Sequence, residues 1–267
     1  MTSVLGTPIH TLAAEVPSAL LISDLHVPAD GGVAFAHLRA AVAAAIAECA
    51  PLFVLGDLFD SYVCRAQVRH GIWRDVAALF AEASRAGVQV TLLHGNRDFL
   101  LGAEFERASG ARVVAGGLRG RLGGVDTLLL HGDELCQNDL PYQRAKKWLR
   151  NPVVKGIARC LPLGVALHVA ERARQKSRMV IQAGDQTRFL PTTRALAAAF
   201  ANGASRLVFG HIHRFAHGSA PDYWVLPAFD ASGIGLRVVQ GTVTPVAFSR
   251  GAAPTVVPEP APCPFPA

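Results

Sequence analysis

The chain has 267 residues, 51% of them hydrophobic and 17% charged, with a formal net charge of +6. That size and apolar content suit one large domain with an insertion better than two modest ones. The five cysteines, Cys49, Cys64, Cys136, Cys160 and Cys263, are odd in number and unpaired in spacing, which argues against a disulfide framework and for a reducing compartment. The first 18 residues carry no secretory pattern, and no window reaches the apolar length of a transmembrane helix.

Ala19-Leu20-Leu21-Ile22 is a short apolar run, predicted as a buried strand, and it ends at Ser23-Asp24-Leu25-His26. Alanine-rich helical sequence follows over about 35–49. A second strand, Leu52 to Leu55, ends at Gly56-Asp57-Leu58-Phe59-Asp60. A helix around 72–85 stops at Gly87, and a third strand, Val88 to Leu93, leads to Gly95-Asn96-Arg97-Asp98. This β-α-β-α-β order gathers polar residues at carboxyl ends of strands, where open α/β sheets bind ligands. A hairpin, Leu118 to Leu122 and Thr127 to Leu130 around Gly123-Gly124, delivers His131-Gly132-Asp133, and Arg206 to Phe209 delivers Gly210-His211-Ile212-His213. Segments near 223–226, 236–239 and 243–248 are expected to complete a second sheet. The main domain is therefore placed at 19–250.

Residues 141–194 break this rhythm, with twelve Lys or Arg against two acids, a net of +10 that leaves −4 for the rest of the chain. Trp148, Val153, Val154, Ile157, Leu161, Leu163, Val165, Leu167 and Val169 lie between the charges, as in amphipathic helices. A solvated helical face is the plain alternative. The position between the fourth and fifth polar islands instead suggests a helical cap over a shared site. From Gly251 the sequence is proline-rich and aperiodic, and 251–267 is expected to be a disordered tail.

Seven side chains in the islands can hold metal: Asp24, His26, Asp57, Asn96, His131, His211 and His213. Oxygen and imidazole donors without thiolate suit a hard or borderline dication such as manganese better than a structural zinc. Divided between two ions, seven ligands leave positions for water and phosphate, and a carboxylate such as Asp57 can bridge. Two such ions lower the pKa of a shared water and clamp phosphoryl oxygens during in-line displacement. Each island alone is ordinary turn chemistry; their joint occurrence at strand ends points to a phosphoesterase. His10, His37, His70, His94, His168 and His217 are read as surface, helix or core residues.

In this order the islands resemble those of the calcineurin-like metallophosphoesterases, over nearly the whole chain except its ends. The resemblance implies a four-layer α/β/β/α sandwich holding two Mn2+ ions. One ion would be bound by Asp24, His26, Asp57 and His213, the other by Asp57, Asn96, His131 and His211. Most members of the family place histidine after the asparagine, where it protonates an alkoxide; this chain has Arg97. A permanent, forked cation binds phosphate but is a poor proton donor, so it suits an acidic leaving group such as the phosphate of a diphosphate. An ion pair with Asp98 is the alternative role.

The longer strings Gly95-Asn96-Arg97-Asp98-Phe99-Leu100-Leu101-Gly102 and His131-Gly132-Asp133-Glu134-Leu135-Cys136, with Asp139 and Tyr142 beyond, resemble the branch that cleaves UDP-2,3-diacylglucosamine in the lipid A pathway. That implies water attack on the α-phosphorus, with Asp57, Asn96, Arg97 and His211 catalytic. Asn96, Arg97, Asp139, Tyr142, Arg174, Ser177 and His211 would contact the UDP-linked glycolipid. Asp139 can equally cap a helix starting near Pro141, Ser177 be an exposed helix residue, and Tyr142 a packing residue. The family's asparagine and lysine after the serine are replaced by Ile181 and Gly184, with Gln182, Asp185 and Arg188 as substitutes nearby. The cap would shelter acyl chains and set its Lys and Arg against anionic headgroups, placing a monomer on the cytoplasmic face of the inner membrane. Hydrolysis of another nucleotide or phosphodiester is the alternative. Nucleic acid is the weaker partner, because strand tracking favours interleaved aromatics over aliphatics.

Overall fold

The computed structural model describes residues 2–183, 186–263 and 265, without the side chains of 173, 174, 176–183 and 186. In chain order the strands before the insert are β1 (Ser3–Val4), β2 (Thr7–Thr11), β3 (Ser18–Ile22), β4 (Leu52–Val54), β5 (Val90–Leu93), β6 (Arg112–Val114), β7 (Gly117–Leu122) and β8 (Val125–Leu129). After it come β9 (Arg206–Phe209), β10 (Ala216–Ser219), β11 (Asp222–Val225), β12 (Ile234–Val239), β13 (Thr242–Ala247) and β14 (Thr255–Val256). Helices α1 (Gly32–Ala47), α2 (Gly71–Arg85) and α3 (Ala103–Ser109) lie between the early strands. Helices α4 (Leu140–Leu149), α5 (Pro152–Cys160) and α6 (Leu163–Ala183) form the insert; α7 (Thr193–Phe200) precedes β9, and α8 (Phe229–Ser232) precedes β12.

Two seven-stranded sheets result, one ordered β14-β13-β12-β3-β4-β5-β6 and the other β1-β2-β7-β8-β9-β11-β10. Strands β3 to β6 run parallel, and β9 lies parallel to both β8 and β11. Alternation along each strand divides the apolar residues into three layers of core. Leu20, Ile22, Leu52, Val54, Val90 and Leu92 face α1, α2 and α3. Their neighbours Ala19, Leu21, Phe53 and Leu93 meet Leu129, Val208 and Trp224 between the sheets. On the far face, Leu128, Leu207 and Phe209 pack against Ala195, Leu196 and Ala199 of α7. Three buried layers make a four-layer α/β/β/α sandwich, and β4 and β5 are buried at every residue because both faces of their sheet are covered.

Three expectations are corrected. Strands β12 and β13 join the first sheet through β3, so of the three expected segments β11 alone lies in the second. The fold begins before residue 19, since β2 pairs with β7. The described residues of the segment expected to be a disordered tail, 251–263 and 265, are built onto the sandwich at three places. Its β14 pairs with β13, the Tyr223 hydroxyl donates to the Cys263 carbonyl at 3.2 Å, and Phe265 packs against Tyr223 and Phe209. A two-residue edge strand and one aromatic anchor need no periodicity, so composition does not reveal them.

Truncation after Gly251 is therefore expected to lower stability by roughly 1 to 3 kcal/mol, the scale of one buried aromatic and a few edge contacts. Urea unfolding measures this; an unchanged midpoint would return the segment to the role of a free tail.

Candidate metal centre

All five islands stand at carboxyl ends of strands, after β3, β4 and β5 in one sheet and after β8 and β9 in the other. Main-chain hydrogen bonds tie each loop to its neighbours. Asp24 N donates to Gly56 O at 3.2 Å, His26 N to Asp57 O at 2.9 Å, and Gly210 N to His131 O at 2.9 Å. The turns are sharp. Among the described residues eight non-glycine positions have positive φ, and five of them are Asp24, His26, Asp57, His211 and His213. Such left-handed backbone is costly, and surrounding structure holds it where function requires it.

Close approach also explains two glycines. A Cβ on Gly95 would overlap the Asp57 carboxylate and amide, and one on Gly210 would overlap the side chains of Ser23 and Asp24. The glycine that precedes Asn96 and the one that precedes His211 thus let separate loops touch.

Asp57 lies at the centre, 2% exposed. Its Oδ2 is 3.4 Å from His26 Nε2 and 3.4 Å from Arg97 Nε; its Oδ1 accepts from Arg97 N at 2.9 Å and lies 3.8 Å from His131 Nε2. Asp24, fully buried, accepts at Oδ2 from His211 N at 2.8 Å, while Oδ1 receives no hydrogen bond and lies 3.4 Å from His213 Nε2. The His131 ring directs Nδ1 to the Leu55 carbonyl at 2.9 Å and Nε2 to Asn96 Oδ1 at 2.9 Å. Rings pair as His26 with His213, centroids 4.8 Å apart, and His131 with His211, 5.0 Å apart. The structure thus brings all seven predicted donors together.

The donor set fits a cation. Asp24, His26 and His213 form one cluster whose ligand atoms lie within 4.8 Å of one another, and Asp24, Asp57 and His131 form a second. One carboxylate, Asp24, is common to both clusters and keeps an unbonded buried oxygen, and with Asp57 and the imidazoles around it the set suits two ions better than one. Electrostatics follow. Burial works against ionisation of Asp57, but His131 and His26 outweigh it and hold the carboxyl well below its usual range. Burial likewise disfavours protonated His26, yet hydrogen bonds to Asp230 and Asp57 raise its pKa to about 9. His131 also moves up, because Asp57 and Asp24 outweigh burial, while burial and then charged His131 lower His211 to about 4.

Asp230 was not foreseen. Its Oδ2 lies 3.3 Å from His26 Nδ1, leaving Nε2 directed at Asp57, the arrangement in which a second carboxylate orients a ligating imidazole. Phe229 N donates to Asp24 O at 3.1 Å and so brings Asp230 alongside. No motif marks this residue; only the tertiary crossing of α8 does. His26, Asp60, Arg97, His213 and Asp230 line the mouth, a cleft of about 490 Å³.

Arg97 does not pair with Asp98. Its Nη1 meets Asp60 Oδ1 at 2.7 Å, and Asp98 instead accepts from Leu58 N and Gly95 N at 2.7 and 2.9 Å. Burial, then the Asp57 charge, push Asp98 up to about 7. In the insert, Asp139 accepts from Tyr142 N at 3.4 Å and caps α4. The Tyr142 ring lies 6.3 Å from His211 at 29°. Arg174 and Ser177, the departures Ile181 and Gly184, and the substitutes Gln182 and Asp185 lie outside the described side chains. Not every cation of the insert faces outward: Lys146, 10% exposed, pairs with Asp133 at 2.9 Å, and Arg150 and Arg159 also bond inward.

Residues 18–215 match the calcineurin-like phosphoesterase family, and the chain belongs to it. It is a metal-dependent hydrolase whose family holds a divalent dimetal centre. The chain is 36% identical over 203 residues, 74% of its length and 82% of the relative's, to a protein from Azotobacter vinelandii named "UDP-2,3-diacylglucosamine hydrolase". A protein of the same name from Ralstonia nicotianae is 31% identical over 264 residues, 91% of this chain and 95% of that one.

Two outcomes are expected. Because a ligating imidazole must be unprotonated and His26 titrates near 9, adding Mn2+ at pH 7.5 in weak buffer should release at least about one proton per chain, the release fading as pH passes 9. Uptake without proton release would contradict the assignment of His26. Asp57→Ala should lose bound metal and at least about 100-fold in turnover together, as loss of one metal-held electrostatic group does; turnover retained in metal-analysed protein would remove Asp57 from its central place.

Proposed function

We propose that the enzyme hydrolyses the diphosphate of UDP-2,3-diacylglucosamine, water attacking the α-phosphorus to give UMP and 2,3-diacylglucosamine 1-phosphate in lipid A synthesis. The names carried by relatives that span most of the chain support this substrate. The observation that carries it within the molecule is the surface of the insert. Leu140, Trp148, Val153, Ile157, Val165 and Val169 are each more than half exposed, on the same helices as exposed Arg144, Lys147 and Arg172. Apolar side chains among cations suit acyl chains and an anionic membrane surface, and the aliphatics outnumber the aromatics that nucleic-acid tracking would favour.

The chain's residues take the following roles. Asp24, His26, Asp57 and His213 hold one cation, and Asp57, Asn96, His131 and His211 the other, with Mn2+ suited to these donors. When bound, the ions supply water activation and neutralisation of phosphoryl charge. Asp57 sets the spacing of the two clusters, and Asp230 orients His26. Arg97, held by Asp60 at the rim and 32% exposed, offers its remaining guanidinium donors to the diphosphate. It stabilises a leaving phosphate that needs no proton. Asn96, His211, Tyr142, Asp139, Arg174 and Ser177 are the further substrate contacts of this reading.

No described helix is long and apolar enough to cross a membrane. The enzyme acts as a monomer bound peripherally at the inner face of the inner membrane, through the insert.

Purified protein with Mn2+ should release UMP from UDP-2,3-diacylglucosamine. Hydrolysis of simple diesters or nucleic acid with none of that glycolipid would overturn the substrate. Arg97→Ala should lower kcat/KM by about 2 to 4 kcal/mol, on the order of 30- to 1,000-fold. A change under threefold would restrict Arg97 to its ion pair with Asp60.

A further inference from the structure

Asp133 lies two residues beyond His131, is 1% exposed, and is surrounded by one face of α4. It accepts a hydrogen bond from the Tyr142 hydroxyl and faces Lys146 Nζ at 2.9 Å and Arg150 Nη2 at 3.4 Å. A spacing of four residues puts these three side chains in a row along the helix. Gln143 adds donors to the carbonyls of Asp133 and Cys136, at 2.8 and 3.2 Å. The same cations reach the neighbouring loop. Arg150 Nη2 donates to Gly95 O at 3.4 Å, and Arg159 of α5 donates to Leu100 O and Leu101 O at 3.3 and 3.1 Å. Those carbonyls bracket Asn96 and Arg97. One pair of helices is thus fastened both to the loop of His131 and to the loop of Arg97, with the Tyr142 ring set against His211.

We propose that Asp133 is a positioning residue that clamps the first half of the insert over the site, and so sets affinity for substrate, not metal. A buried carboxylate meeting two cations and a phenol contributes little net stability but defines one geometry, and removing it leaves the cations unbalanced. Among the described residues Lys146 would keep only Glu134, at 3.8 Å. The clamp acts through Tyr142, Arg150 and the backbone of residues 95–101; Asp133 itself is not among the predicted ligands. The effect on substrate rests on the proposed reading of the insert as the roof of the substrate site. The fastening of α4 does not.

The test compares full-length, Mn2+-loaded wild type with Asp133→Asn and with Arg159→Met, the latter leaving no buried carboxylate unpaired. In Asp133→Asn, hydrogen–deuterium exchange of peptides covering 140–149 should quicken about tenfold or more, while bound metal stays at the wild-type level. With UDP-2,3-diacylglucosamine, KM should rise about tenfold and kcat stay within about threefold. Arg159→Met should raise KM in the same direction by about threefold. Unchanged exchange in α4 overturns the proposal. So does loss of metal together with the cooperative melt in Asp133→Asn, which assigns a structural role, and so does an unaltered KM in Arg159→Met. If wild type leaves that glycolipid intact, the substrate reading fails by itself, and exchange with metal content still decides the clamp.

Discussion

A carboxylate stripped of water must be surrounded by compensating charge, and the site is arranged around that demand at Asp57. Its two oxygens are divided between His26 with the Arg97 guanidinium on one side and His131 with the Arg97 amide on the other. Partners come from the loops after β3, β5 and β8, so the carboxylate is satisfied only when the two sheets are stacked face to face. The left-handed turns at five candidate ligands and the missing side chains at Gly95 and Gly210 are local costs of that convergence. The three apolar layers beneath the loops hold them in place. The same carboxylates push the pKa of His26 and His131 upward against burial, while burial and then the charge of His131 push that of His211 down.

The insert meets a different demand at each surface. Towards the sandwich it presents a row of polar and cationic groups that match Asp133 and the carbonyls of the Arg97 loop. Towards solvent it presents large apolar side chains that a helix of a sealed globular domain would bury. The high positive charge of this segment therefore has two uses. Part of it fastens the helices to the loops of His131 and Arg97, and part, including Arg144 and Lys147, remains exposed beside the apolar side chains.

Much of this was legible in the sequence because the information was local. A buried parallel strand is a short apolar run, its carboxyl end is where polarity returns, and His131 and Gly210-His211 mark such ends without ambiguity. Strand partnership was less legible: β12 has the same alternation whether it pairs with β3 or extends the other sheet, and only the assembled register decides. Asp230 was invisible because it lies 204 residues from His26 and in no motif. Phe265 and β14 were hidden by a proline-rich composition that signals disorder on average but not where a single anchor finds a pocket. The inward turn of Lys146 and Arg150 was likewise unreadable, since a count of charges gives no direction. The Arg97 partner shows the same limit: adjacency suggested Asp98, whereas the turn sends Asp98 to main-chain amides and leaves Arg97 to Asp60.

The central claim is that Asp57 joins two cation sites into one centre. Electron paramagnetic resonance of protein titrated with Mn2+, read beside metal analysis, tests it most directly. The account predicts two ions per chain and an exchange-coupled spectrum once both are bound. One ion per chain, or two giving only the six-line signal of isolated Mn2+, would contradict it.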